Sequence, residues 1–280
     1  MKAKWIFSLT MAAALIALIP SCQKAEEDNS GMGRLVIKVT DAPFPMDLIE
    51  SATVTISKVE IRKTGDGEED GSPFIVLSED TVTFDLFELR NGISEELLDM
   101  EIPAGEYDLI RLYVSSAGLK LKAGFEFSVK VPSGEQTGIK MKIDPPLVVS
   151  EGLTEELLLD FDLSRSFVLM GHPFTPAGIR GFIFKPVIRV VNNSTAGRIE
   201  GIVTDKSENK LQDAAVWLKQ DTVITSAYTD SVGKYAIIGV PEGTYSMFST
   251  KSGYDTVHYE GVKVYAGNKT VKNFELTPLR

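Results

Sequence analysis

The chain is poor in the residues that most often carry chemistry. Its 280 residues include one cysteine, Cys22, and two histidines, His172 and His258. A single thiol excludes an internal disulfide and a cysteine-ligated zinc site. The histidines lie far apart, and no Gly-x-Ser-x-Gly elbow accompanies them, so no Ser-His-Asp pattern can be drawn. Each reads as a surface residue of a loop or strand. Zinc held by His with Asp or Glu would need a clustering that is absent. No metal or other cofactor is expected. Positive charge is also scarce, with 29 Lys and Arg against 39 Asp and Glu, for a net charge of −10. Without a basic run there is no footprint for phosphate backbones, which argues against nucleic acid as a partner.

Long apolar runs are missing too, except at the start. Lys2 and Lys4 precede an apolar stretch from Trp5 to Ile19, about 15 residues, which suits a signal peptide and is short for a membrane span. Ser21 then stands directly before Cys22. Ile19-Pro20-Ser21-Cys22 resembles a bacterial lipobox, with Pro20 an unusual occupant of its second place. The resemblance implies cleavage before Cys22 and acylation of its sulfur and new amino group. Each buried methylene would add about 0.8 kcal/mol to membrane anchoring. Gln23-Lys24-Ala25-Glu26-Glu27-Asp28 follows, an acidic tether that resembles the surface-export signal of Bacteroidetes lipoproteins. The expected division is 1–21 signal peptide, 22–32 acylated Cys22 with its tether, and two domains at 33–193 and 194–280. The partner of the N-terminus is a membrane, and the expected location is the outer membrane, facing the medium.

From residue 33 the hydrophobic period is mostly two. Leu35, Ile37 and Val39 share a face, as do Phe125, Phe127, Val129 and Val131, then Ile139, Met141 and Ile143. Leu157, Leu159, Phe161 and Leu163 alternate with Leu158, Asp160 and Asp162. Val54 and Ile56 fall out of phase with Val59 and Ile61, which predicts a bulge near Ser57 and Lys58. Phe182, Phe184, Ile188 and Val190 read as one closing strand, at an edge or bulge because of Pro186. Ser94-Glu95-Glu96-Leu97-Leu98 reads as a single capped helical turn. Short strands punctuated by Asp66-Gly67, Pro103-Ala104-Gly105 and Pro132-Ser133-Gly134 make the fold class all-β, two β-sandwich domains in tandem.

Six motifs in order carry a resemblance: Thr40-Asp41-Ala42-Pro43, Val82-Thr83-Phe84-Asp85-Leu86, Pro103-Ala104-Gly105-Glu106-Tyr107, Ile110-Arg111-Leu112, Leu159-Asp160-Phe161-Asp162 and Lys185-Pro186-Val187-Ile188-Arg189. Together they resemble the DUF4382 family of bacterial lipoprotein domains. That implies an all-β, surface-associated domain with no assigned reaction. After the polar hinge 192–197 come Gly201-Ile202-Val203-Thr204-Asp205, Ala215-Val216-Trp217-Leu218, Asp230-Ser231-Val232-Gly233-Lys234-Tyr235 and Pro241-Glu242-Gly243-Thr244-Tyr245. This order resembles the carboxypeptidase regulatory-like domain, a transthyretin-like sandwich among carbohydrate-binding-like folds. The resemblance implies a non-catalytic accessory. Ser207-Glu208-Asn209-Lys210-Leu211 departs from the Gly-x-Pro turn frequent there.

Several residues invite a functional reading. Val216 and Leu218 flank Trp217, so Trp217 points outward if they point inward. An outward Trp stacks on a sugar or anchors an interface, and otherwise it packs under a loop or against the first domain. Asp160 and Asp162, roughly 7 Å apart along a strand, match the carboxylate spacing of glycosidases. A solvated sandwich face explains them better. Asp66-Gly67-Glu68-Glu69-Asp70-Gly71 begins like a calcium loop, but Leu77 stands where the loop needs its bidentate glutamate. Thr81, Thr222, Ser231 and Thr256 each follow an Asp and precede a Val, resembling a Bacteroidetes O-glycosylation motif. The expected function is a non-catalytic, lipid-anchored binding protein for a glycan or an envelope protein. The alternatives are a structural or adhesive surface component and, more distantly, a carboxylate hydrolase. Intact-mass measurement of detergent-extracted protein should find acyl mass at Cys22 that Cys22→Ser eliminates, with hexose increments if any of the four hydroxyls is glycosylated.

Overall fold

The computed structural model describes residues 31–42, 49–65, 73–129, 131, 136–171 and 178–279. Cys22, the acidic run 66–71 and His172 lie outside them.

The first domain is built from β1 (Met32–Ala42), β2 (Ile49–Lys63), β3 (Ile75–Ser78), β4 (Val82–Asp85), β5 (Glu95–Pro103), β6 (Gly105–Leu121), β7 (Glu126–Val129), β8 (Ile139–Val149) and β9 (Thr154–Asp162). A four-residue helical turn, α1 (Leu163–Ser166), leads to β10 (Phe167–Gly171), β11 (Ile179–Phe184) and β12 (Ile188–Asn192). One sheet has the order β12-β9-β1-β5, with β1 and β9 parallel. The facing sheet runs β3-β2-β6-β7, with β4 also paired to β2 and β8 to β6. Leu35, Ile37, Val39, Leu157, Leu159 and Phe161 meet Val54, Ile56, Ile110, Leu112 and Val114 in one dry core. The predicted slip occurs where expected, since Ile56 pairs Val114 and Lys58 pairs Tyr113, leaving Ser57 bulged.

Two local expectations are corrected. Residues 95–98 are the start of β5, not a helical turn, because Glu95 and Glu96 pair with Val39 and Lys38 on β1. Ladder bonds to a long open edge outweigh the weak preference of one isolated turn. The expected closing strand is two strands. Phe182 and Phe184 lie on β11 against β10, while Ile188 and Val190 lie on β12 against β9. Pro186, which has no N–H to give a ladder, stands in the break.

The second domain contains β13 (Gly197–Asp205), β14 (Ala215–Lys219), β15 (Val223–Tyr228), β16 (Lys234–Val240), β17 (Gly243–Thr250), β18 (Val257–Val264), β19 (Lys269–Val271) and β20 (Phe274–Leu276). Its sheets are β16-β13-β19, with β20 also on β13, and β15-β14-β17-β18. Ile199, Val203, Val216, Leu218, Tyr235, Met247 and Phe274 fill the space between them. The fold is therefore all-β, with two sandwiches in tandem.

The same turn recurs in both domains. In Pro103-Ala104-Gly105-Glu106-Tyr107 the Tyr107 hydroxyl donates to the Pro103 carbonyl at 2.6 Å. In Pro241-Glu242-Gly243-Thr244-Tyr245 the Tyr245 hydroxyl donates to the Pro241 carbonyl at 2.8 Å. Each buried ring thus ties the entry of one strand back to the end of another. Tyr107→Phe and Tyr245→Phe should each destabilise the protein by about 1 kcal/mol in urea titrations, because a part-buried hydrogen bond is lost.

Candidate functional site

Trp217 points outward. Its neighbours Val216 and Leu218 are fully buried, and strand alternation places the indole on the opposite face of β14. On β17 Met247 and Ser249 are buried, so Phe248 emerges beside it in register. His258 on β18 faces Phe248 in turn. The three rings form a row across three strands. Trp217 and Phe248 stack with centroids 5.4 Å apart and planes within 5°. Phe248 and His258 follow at 5.6 Å and 22°. Cross-strand ring pairs of this kind are worth about 0.5–1.5 kcal/mol beyond their buried area. Opposite Trp217 on β15 stands Ser226, too short to cover an indole.

The carboxylates once eligible for hydrolysis are otherwise engaged. Asp160 is 5% exposed and sits beneath the second domain, which corrects the expected solvated face. Its Oδ2 accepts from Arg189 Nη2 at 2.6 Å, Arg189 Nε at 3.1 Å and the Thr225 hydroxyl at 3.3 Å. Arg189 Nη1 donates onward to the Gly239 carbonyl at 2.6 Å. Asp162 caps α1, accepting from Arg165 N at 3.0 Å and Arg165 Nε at 2.6 Å. Both acids line a cavity of about 340 Å³, but each is already paired with an arginine there, Asp160 with Arg189 and Asp162 with Arg165. Among the described residues no three His, Cys, Asp or Glu side chains form a group able to hold a metal ion.

The domains touch along this line. Leu158 and Val191 pack with Ala196 and Ile238. Gly239, at φ 62°, lies so close to Leu158 that a Cβ there would meet Leu158 Cδ2 at 2.6 Å. From the first domain Asn91 reaches β16, accepting from Ala236 N at 2.6 Å and donating to the Lys234 carbonyl at 3.3 Å. The segment bearing Asn91 is held by the Thr40 hydroxyl, which reaches the Leu89 and Ile93 carbonyls at 3.0 and 2.7 Å. The expected polar hinge is fastened as well, through Ser194 Oγ on Glu156 N at 2.7 Å and Asn193 Nδ2 on Glu156 Oε1 at 2.5 Å.

Asp41, next to Thr40, is buried with its Oδ2 unpaired, while Oδ1 accepts from Leu163 N at 3.2 Å. Burial first, then the charge of Asp160, pushes the Asp41 carboxyl well above the usual range, against the pull of the Leu163 N–H and Arg90. Thr81, Thr222, Ser231 and Thr256 are all exposed, and the Thr256 hydroxyl donates to Thr250 Oγ1 at 3.1 Å. The sequence singled out Trp217 but not Phe248, Arg189 or Asn91, whose contacts depend on the tertiary structure. Asn91-Gly92 is a turn dipeptide, the one local hint available there.

Residues 32–186, more than half of the chain, match the family model described as Domain of unknown function (DUF4382). The chain belongs to the DUF4382 family. Behind its DUF4382 domain, residues 198–277 match the Carboxypeptidase regulatory-like domain. No curated protein matches the chain. Among solved structures, catechol 1,2-dioxygenase from Acinetobacter sp. ADP1 is 12% identical over 31% of this chain and 54% of its own, with a TM-score of 0.24. The Bacillus anthracis TIE protein is 12% identical over 88% of this chain and 41% of its own, with a TM-score of 0.28. The chain thus spans about half or less of either protein's length. BcpA, the major pilin subunit of Bacillus cereus, is 14% identical over 89% and 71%, with a TM-score of 0.27. Superpositions at this level assign this chain neither activity nor partner.

The folded DUF4382 domain holds the Asp41 proton more tightly than the unfolded chain does. Unfolding free energy should therefore fall as pH rises from about 4, the ordinary carboxyl value, through the raised folded-state value. Asp41→Asn should flatten that slope and stabilise the protein at neutral pH, with little effect at pH 4. Urea titrations across pH 4–8 check it, and parallel profiles would contradict it.

Proposed function

We propose that this protein is a non-catalytic, lipid-anchored component of the cell envelope whose second domain presents a glycan-binding face. The observation that carries the proposal is the row Trp217–Phe248–His258, three aromatic rings in register on the outward side of one sheet. Flat aromatic surface is the means by which proteins hold the apolar face of a sugar ring while its hydroxyls stay wet. Anchorage at Cys22 and the acidic tether supply the membrane attachment in this reading. Thr81, Thr222, Ser231 and Thr256 are its candidate glycan acceptors, all on the surface.

A structural or adhesive role in a surface assembly is the second reading, and one observation favours it. The domains are joined by hydrogen bonds made by Arg189, Asp160 and Asn91 and by apolar packing, as a stiff spacer would need. The two readings separate on ligand binding. On a glycan array, the wild-type protein should retain at least one class of saccharide, and Trp217→Ala or Phe248→Ala should weaken it about tenfold or more. Co-purification with an envelope assembly, without any sugar retained, would favour the structural role. Turnover of a glycoside lost in Asp162→Asn would overturn both.

A further inference from the structure

A groove lies on the other sheet of the second domain, away from the aromatic row. It runs between the outer face of β13, β16 and β19 and the segment of the first domain that carries Asn91 and Gly92. Two adjoining cavities of about 480 and 400 Å³ share Lys269. Each falls within the range of about 300–1,000 Å³ usual for ligand sites, which favour domain boundaries.

The local backbone explains why the groove exists. β13 pairs with β19 through Val271 and resumes with β20 at Phe274, so the neighbouring strand jogs at Lys272 and Asn273. The Lys272 carbonyl presses on Gly201, where a Cβ would lie 1.8 Å from it, and accepts from the Tyr235 hydroxyl at 2.5 Å. Asn273 Oδ1 accepts from Ile202 N at 3.0 Å. The jog leaves Val271 62% exposed beside Ile202 and Ala236, an apolar patch with an amide at its edge. On the opposite wall Asn91 is clamped to β16, so the groove has a fixed width.

Its charge is opposite to that of the chain. The net charge of the whole protein is −10. Yet the groove is lined by four cations, Lys38, Arg198, Lys234 and Lys269, and by two carboxylates, Glu156 and Glu200. Glu200 is shared, with Arg198 Nε at 3.1 Å and Lys269 Nζ at 3.2 Å, and Glu156 pairs with Lys38. Lys234 has no ion-pair partner among the described residues. Each acid is therefore matched and positive charge is left over. Asn268 and Ser94 add neutral hydrogen-bonding groups at the polar end.

We propose that this interdomain groove binds an acidic saccharide, with sugar faces on Val271, Ile202 and Ala236 and uronate carboxylates toward the lysines and Arg198. A small apolar floor next to amides, a hydroxyl and surplus cations fits a polyhydroxylated, carboxylated chain better than a uniformly charged one. The site is separate from the aromatic row and does not depend on it.

The test is calorimetry of the full chain with oligogalacturonate, neutral malto-oligosaccharide and oligoglutamate as probes at low salt. Oligogalacturonate should bind, weakened about tenfold or more in the double variant Lys234→Ala/Lys269→Ala and by added salt. Trp217→Ala should leave it unchanged, and Lys269→Arg should largely retain it. Thermal melts matching the wild type establish that the double variant is folded. For a misfolded double variant, Val271→Asp on the exposed floor replaces it with the same expected loss. Absence of oligogalacturonate binding, equal binding of the neutral probe, equal binding of oligoglutamate, or loss through Trp217→Ala would each overturn the proposal.

Discussion

A carboxylate withdrawn from water near the end of β9 has to be matched, and the match made by Arg189 organises the molecule. Losing one partner of a buried ion pair typically costs about 3–5 kcal/mol, so Asp160 strongly constrains where Arg189 can be. Because Asp160 and Arg189 are opposite each other across β9 and β12, the pair fixes that register. Because the guanidinium also reaches the Gly239 carbonyl, the same side chain sets the place of the second domain. Thr225 adds a bond to Asp160 from β15. Leu158, Val191, Ala196 and Ile238 then pack beside the polar contact. Fully burying one such leucine is worth about 1.5–3 kcal/mol, which helps offset the desolvation of the ions.

Docking in this way uses the side of the second sandwich where both sheets end. β15 and β16 are edge strands, and an uncovered edge is a template for unwanted pairing. Thr225 on β15 bonds to Asp160, and Asn91 satisfies two backbone groups of β16 with one amide, standing in for a neighbouring strand. Both outer faces of the second domain consequently keep surface open to ligands. One shows the aromatic row, and the other, where β19 gives way to β20, forms the groove walled by Asn91. The Thr40-Asp41 motif of the first domain contributes indirectly, by holding the segment on which Asn91 sits.

Much of the fold was legible in the chain, and the misses have physical causes. Alternation identified Leu35, Ile37 and Val39 as a core face, and a change of phase located the bulge at Ser57. Val216 and Leu218 were enough to turn Trp217 outward. The same alternation put Asp160 and Asp162 on one face but could not say what covers it, since a sheet face buried by another domain has the same period as one in water. Pro186 was recognised as disruptive, yet whether it interrupts one strand or separates two depends on the partners of β11 and β12. Phe248 and His258 acquire meaning only beside Trp217, and their alignment depends on the register of strands about thirty and ten residues apart along the chain.

The amino-acid order by itself determined that this protein is all-β, that it has two domains, and that a lone cysteine follows an apolar stretch. These are local properties, set by backbone stereochemistry and by the two-residue period of a strand. The tertiary structure alone decided that Asp160 is buried against Arg189, that Asn91 caps a strand of the other domain, that three rings form a row and that cations gather in a groove. Such features need lateral register and docking, which arise from contacts between residues distant in the chain and leave no periodic trace within either partner.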